Sequence, residues 1–257
     1  MKHALRMLCA ASPRWLLPCL IVQGAVTLSA QSRQSQPNVL FVAVDDLHQF
    51  RKQKQRKSLL EEARMKWNPA PRRAIEYLKK TGLISDTPES LGKFLREVEG
   101  LDKKVLGDFI GGSKPFNKQV LKAYVEEFSF TGMELDEALR YFLGMFLLPG
   151  EGQVVDRIME NFGSRYFRDN PNGRFADADA VYKLSFAIIM LATDLHNPKV
   201  KNKLKFEQWV KMVNKDLQMG LEEAYLRAIH DRIAAKKLEL LDAGTGTPSM
   251  ISDLLNP

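Results

Sequence analysis

A single carboxylate on a tight turn is the first feature of this sequence that could do chemistry. In Phe146-Leu147-Leu148-Pro149-Gly150-Glu151-Gly152-Gln153-Val154-Val155-Asp156-Arg157, the Pro-Gly pair must stop one helix, and a second begins a few residues later. Glu151 is therefore held out near a helix N-terminus, where its plainest role is to complement the helix dipole, worth about 0.3–1 kcal/mol. A second segment runs from Val181 to Pro198 as VYKLSFAIIMLATDLHNP. It is apolar around most of its circumference, which marks a buried central helix, and Asn197-Pro198 must end it. His196 is the one histidine in this stretch and reads as a satisfied structural donor. No second His, Cys or carboxylate stands at metal-ligand spacing, so neither a metal nor a cofactor is expected. Cys9 and Cys19 both lie in the first twenty residues, which leaves the rest of the chain without a thiol for a disulfide, a thiolate metal site or a nucleophile.

The elements that must position these residues are helical. Leu91, Phe94, Leu95, Val98 and Leu101 share one helical face, as do Leu139, Phe142, Leu143 and Phe146, and then Val155, Ile158, Met159 and Phe162. Further faces come from Val120, Tyr124 and Phe128, from Phe206, Trp209, Val210 and Val213, and from Leu221, Tyr225, Ile229 and Ile233. Thr87 before Pro88 predicts one helix start, Thr131 with Glu134 predicts a capping box, and Asn170-Pro171-Asn172-Gly173 predicts a short connection. The body is therefore expected to be all-α, with nine or ten helices and no fixed-period repeat.

The first fifty residues read differently. Lys2, His3 and Arg6 precede a mostly apolar run from Trp15 to Leu28, which has the form of a secretory signal peptide and is short for a membrane span. Next, the β-branched run Pro37 to Val44 ends in Asp45-Asp46, as a buried strand would that delivers two carboxylates. In form this resembles the first strand of the sulfatase family, whose Cys/Ser-x-Pro-x-Arg nucleophile motif is absent from the rest of the chain, so a sulfatase is excluded. Four stretches are expected: a leader over 1–30, a linker over 31–54 carrying that strand, a helical body over 55–240, and a flexible tail over 241–257.

With 38 Lys+Arg against 31 Asp+Glu, the formal net charge of +7 favours anionic partners. The basic runs Arg51 to Lys57 and Lys199, Lys201, Lys203 and Lys205 lack the interleaved aromatics of a nucleic-acid site, so an anionic membrane surface is expected and nucleic acid is not.

Leu148-Pro149-Gly150-Glu151 and Met190-Leu191-Ala192-Thr193-Asp194-Leu195-His196-Asn197-Pro198, in this order and at this separation, closely resemble the Sec-seven domain of guanine-nucleotide exchange factors for Arf small GTPases. The resemblance extends over roughly residues 55–240 and includes Val105 to Ile110 and Phe116-Asn117-Lys118. Val200-Lys201-Asn202-Lys203 looks most like the large Golgi members. It implies a right-handed array of about ten short helices forming an elongated domain with a hydrophobic groove. It also implies that Glu151 is the glutamate finger pushed into the nucleotide site of GDP-bound Arf. There it repels the phosphate and offers the P-loop lysine of the GTPase a new partner, without covalent chemistry; unit charges about 4 Å apart interact by about 4 kcal/mol at an effective dielectric of 20. By motif position the groove is lined by Tyr182, Phe186, Ile189 and Met190, with Asp156 and Asp179 as charged contacts, Asn197 at the rim, and Asp194 also in the groove, a residue favourable to brefeldin A. Leu147, Gly152, Val154 and Ala192 depart from the family pattern, which leaves a catalytically weak Arf-binding module as the alternative. Phe186 and Ala187 stand where brefeldin-sensitive members tend to have tyrosine and serine. The resemblance implies a cytoplasmic product peripheral on Golgi-like membranes, in conflict with the secretory form of the leader.

Overall fold

The computed structural model describes residues 38–239, with side-chain surroundings from Asp46 onward. Two compact units are distinguished, Met1–His48 and Gln49–Pro257; of the first, only the opening turns of one helix lie within the described residues. That helix, α1, spans Asn38–Trp67 and is followed by α2 (Pro71–Lys80), α3 (Pro88–Glu97), α4 (Lys103–Ile110), α5 (Pro115–Glu126) and α6 (Leu135–Leu143). Then come α7 (Gly152–Asp169), α8 (Ala178–His196), α9 (Phe206–Lys211), which runs on as a π-helical turn over Met212–Asp216, and α10 (Glu223–Ala235). The described residues thus form ten α-helices and no strand, the all-α class expected. The leader over 1–30 and the tail over 241–257 lie outside the described residues.

Several starts and stops follow from local chemistry. Thr87 caps α3, its side chain accepting the Ser90 N–H at 3.2 Å, and Pro88 takes a first-turn position whose N–H would be orphaned. The expected capping box at Thr131 and Glu134 does not form. Gly132 adopts φ 72°, a left-handed turn between the two residues, so α6 starts only at Leu135 with Glu134 at its N-cap. The expected strand ending in Asp45-Asp46 is also corrected: those residues continue into α1, through the charge run to Trp67. A strand needs a neighbour for its backbone groups, whereas a helix satisfies them internally, and a short β-branched run does not by itself decide between the two.

The core is aromatic at its centre. Phe142 stacks on Phe162 at 5.2 Å and meets Phe146 edge-on at 5.1 Å, and Phe130 meets Phe162 edge-on at 5.1 Å, joining the α5–α6 connection, α6 and α7 in one cluster. The end of α7 clasps that connection with polar groups. Asp169 accepts the Phe130 N–H at 2.8 Å, while Asn170 donates to the Phe130 carbonyl at 3.0 Å and accepts the Gly132 N–H at 2.8 Å. Trp209, fully buried, donates its indole N–H to the Ala187 carbonyl at 3.1 Å and fixes α9 on α8.

Asp136 is the charged exception in this interior, at 1% exposure. It receives both arms of the Arg232 guanidinium, each at 2.7 Å, so α6 is tied to α10 by a bidentate pair. Replacement of Asp136 by alanine removes two charge-assisted hydrogen bonds and leaves Arg232 to find water, at a cost of about 2–3 kcal/mol. Thermal unfolding of Asp136→Ala is expected to begin about 5–10 °C below that of the native chain, followed by circular dichroism.

Candidate functional site

The segment before α7 is seated on α4. The Leu147 N–H donates to the Lys103 carbonyl at 3.0 Å, and the Leu147 carbonyl presses so closely on Gly107 that a Cβ there would meet it. Leu148 is buried; Arg157 of α7 donates to the Gly111 carbonyl; Pro149 and Val154 close around Gly111. The turn is thus held on both flanks, and Glu151 emerges from it as the N-cap of α7, with extended backbone at φ −97° and ψ 125°. Its carbonyl accepts the Val154 and Val155 N–H groups at 3.0 and 3.1 Å, so its backbone joins the helix while its exposed side chain caps nothing. Among the described residues the Glu151 carboxylate makes no hydrogen bond or ion pair. A free carboxylate on a rigid base is available to a partner.

α8 supplies the neighbouring surface. Its N-terminus is capped by Asp177, which accepts the Ala180 N–H at 2.8 Å, and Asn197 leaves the helix in extended backbone, as a residue before proline must. Most of the helix is buried, but Tyr182, Phe186, Met190, Thr193 and Asn197 stay half-buried and follow one another at spacings of four, four, three and four, a single stripe. The Tyr182 and Phe186 rings meet edge-on at 4.9 Å. Tyr182 donates to Asp156 of α7 at 3.0 Å. Burial first, and then the Asp156 carboxylate, push the Tyr182 hydroxyl up to about 12. Asp156 stands five residues after Glu151, about 7.5 Å along a helix axis, so this bond couples the carboxylate-bearing helix to the stripe. Close helix approach permits it: a Cβ on Gly163 of α7 would lie 3.1 Å from the Ala178 carbonyl oxygen and 3.3 Å from the Tyr182 nitrogen.

The remaining expected residues divide. Asp179 is exposed at the start of α8 and pairs with Lys183 at 2.7 Å, one turn on. Asp194 is committed inward, its carboxylate accepting the Leu204 N–H at 2.6 Å while Lys203 donates to its backbone carbonyl at 2.7 Å, so the basic 199–205 connection is fastened to the end of α8. Ile189, expected in the groove, is 2% exposed and belongs to the core. It stands one position off the stripe, and the helical period turns it inward. His196 is the structural donor expected, its Nε2–H on the Ile233 carbonyl at 2.7 Å. Sequence reasoning missed Thr193, whose hydroxyl donates to the Ile189 carbonyl at 2.9 Å; the four-four-three spacing from Tyr182 was the available signal. It also missed Gly107 as the seat of the Glu151 turn, which leaves no sequence signal beyond a glycine inside a helix.

Fold and site together define the class: an all-α domain that presents a free carboxylate from a Pro-Gly turn beside a half-buried stripe of its central helix. The chain belongs to the Sec7 domain family, which matches residues 56–238. It is 44% identical over 199 residues to human brefeldin A-inhibited guanine nucleotide-exchange protein 1, covering 76% of this chain and 11% of that protein. It is 40% identical over 203 residues to the ADP-ribosylation factor guanine nucleotide-exchange factor SEC7 of Saccharomyces cerevisiae, covering 78% of this chain and 10% of that protein. The chain thus spans about a tenth of the length of these curated relatives. Among solved structures, the Sec7p catalytic domain superposes with a TM-score of 0.65 at 40% identity, over 69% of this chain and 95% of that one. A Sec7 domain in complex with ARF1-GDP and brefeldin A does so with a TM-score of 0.65 at 33% identity, over 74% and 96%.

The seating of Leu147 on Gly107 is open to test. A methyl group at Gly107 must push the Leu147 carbonyl away, at a cost of about 1–3 kcal/mol. Gly107→Ala is expected to speed hydrogen exchange at the Leu147 amide while leaving the Trp209 indole of α9 protected, read by amide and indole exchange in NMR.

Proposed function

We propose that residues 55–240 promote GDP release from an Arf-family small GTPase, with Glu151 as the carboxylate that enters the nucleotide site. The single observation that carries this reading is the unpaired, exposed Glu151 carboxylate on a turn fixed at both flanks. A charge with no internal partner is free to displace the phosphate from its counter-charges, and a rigid base means that little is lost in ordering it. The relatives named above are guanine nucleotide-exchange proteins, and one similar Sec7 domain is solved with ARF1-GDP, which supports the same assignment. Tyr182, Phe186, Met190 and Asn197 would receive the GTPase along the α8 stripe, with Asp156 and Asp179 as charged contacts. No covalent bond changes and the chain needs no cofactor of its own.

Two of the four departures from the family pattern point into the interior. Val154 is buried against Gly111, and Ala192 is buried in α8, so they fill the seat of the turn and the helix core. This favours an active exchange domain over a weak binding module. Exchange at an anionic membrane also supplies a partner for the basic runs, each Lys or Arg near such a surface contributing about 1 kcal/mol. The product we infer is cytoplasmic and peripheral on Golgi-like membranes, with residues 1–50 dispensable for exchange.

Release of a fluorescent GDP from Arf, measured with and without the chain, tests this. The native chain should accelerate release, Glu151→Lys should return it to the spontaneous rate, and the variant should still bind nucleotide-free Arf. Equal rates for native chain and variant would sink the role of Glu151, and binding without acceleration by the native chain would support the weak-module alternative. This chain should be poorly inhibited by brefeldin A, because by the family resemblance Phe186 and Ala187 stand where brefeldin-sensitive members tend to have a tyrosine and a serine. Phe186→Tyr with Ala187→Ser should confer inhibition in the same assay.

A further inference from the structure

Away from α7 and α8, the turn between α1 and α2 faces the turn between α4 and α5 across an open cleft of about 780 Å³. That volume lies within the range of small-molecule sites. Val105 and Phe109 of α4 give it an apolar side, and Phe109 is braced edge-on by the buried Trp67 at 5.1 Å. Arg72 and Arg73 from the first turn of α2 and Lys114 just before α5 bring three cations to the same cleft. Among the described residues none of the three is in an ion pair. Three cations against the single carboxylate of Asp108 leave the cleft with an excess of positive charge, which a seated anion would offset.

The lining also says what kind of anion. Two guanidinium forks match phosphate oxygens in bidentate geometry, and the lysine adds a point charge. Asp108 and Ser113 line the same cleft. The Asp108 carboxylate has the wrong sign for bare phosphate but accepts hydroxyl hydrogens, as does the Ser113 oxygen. The ligand that uses every one of these groups carries phosphates and hydroxyls together. We propose that this cleft binds a phosphorylated polyol, free or as the head group of a membrane lipid. The site stands apart from the exchange reading, since none of its residues belongs to the Glu151 turn or to the α8 stripe, and its test does not use a GTPase.

Isothermal titration of the full chain with inositol trisphosphate, and separately with inorganic phosphate, reads the site directly. The trisphosphate is expected to bind at least about tenfold more tightly than inorganic phosphate, and Arg72→Gln/Arg73→Gln/Lys114→Gln to weaken it at least about tenfold. These three side chains are exposed, so the triple variant should melt with the native chain. Asp108→Ala should weaken the trisphosphate but not inorganic phosphate. Vesicles separate the two sources. Retention on vesicles of phosphatidylinositol phosphate beyond that on phosphatidylserine of matched charge assigns the lipid head group, whereas trisphosphate binding without such selectivity assigns the free compound. Equal affinity of the triple variant and the native chain would overturn the proposal. So would an equal loss in Lys52→Gln/Lys54→Gln/Arg56→Gln on α1, because the attraction would then be diffuse.

Discussion

One backbone contact governs the candidate site: the Leu147 carbonyl lies where any side chain at position 107 would be. Removing that side chain lets a non-helical segment run against α4, and the Leu147 N–H, which would otherwise be orphaned there, finds the Lys103 carbonyl. Everything that follows in sequence inherits its place from this seat. Leu148 is buried, Pro149 is pressed toward Gly111, and after the exposed Gly150 the first side chain free of the seat is that of Glu151. A carboxylate placed by two glycines and a main-chain hydrogen bond depends on no long side chain for its position, which suits a group that must meet a small target in another molecule.

The polar contact between Tyr182 and Asp156 plays a complementary part on the next helix. An acidic residue beside an apolar stripe would swing freely in water; here a phenol holds it, and the phenol is itself held by Phe186. The charge pattern of the surface thus comes ordered. Asp179 and Lys183 neutralise each other at the start of α8, while Asp194 is taken up by the connection that follows that helix. Near the start of α7, Glu151 is left without a partner among the described residues.

Most of the helical body could be read from the residues because its signals are local. Thr87-Pro88 starts a helix by hydrogen-bond and dihedral logic alone, and Asn197-Pro198 ends one for the same reason. The failures were of another kind. Thr131 and Glu134 have the right types at the right spacing, but the left-handed Gly132 between them breaks the helix start, and backbone handedness at a glycine is set by what packs around it. By residue type Val39 to Asp46 could equally be strand or helix, and in the structure they are the start of α1. Motif position does not carry the phase of a helix: counting turns from Tyr182 puts Ile189 one position off the stripe, where it is buried.

The pair between Asp136 and Arg232 spans 96 residues, and Arg140 reaches equally far to the Lys236 and Lys237 carbonyls at 2.8 and 2.7 Å. During synthesis, α6 leaves the ribosome with a carboxylate and a guanidinium that have nothing to bind until α10 follows. At about 5–20 residues per second that interval lasts about 5–20 s. The tie between α6 and α10 therefore closes late, whereas the aromatic cluster of Phe130, Phe142, Phe146 and Phe162 has all of its members well before α10 appears. For that interval the Asp136 carboxylate, buried in the finished domain, has no guanidinium to bind.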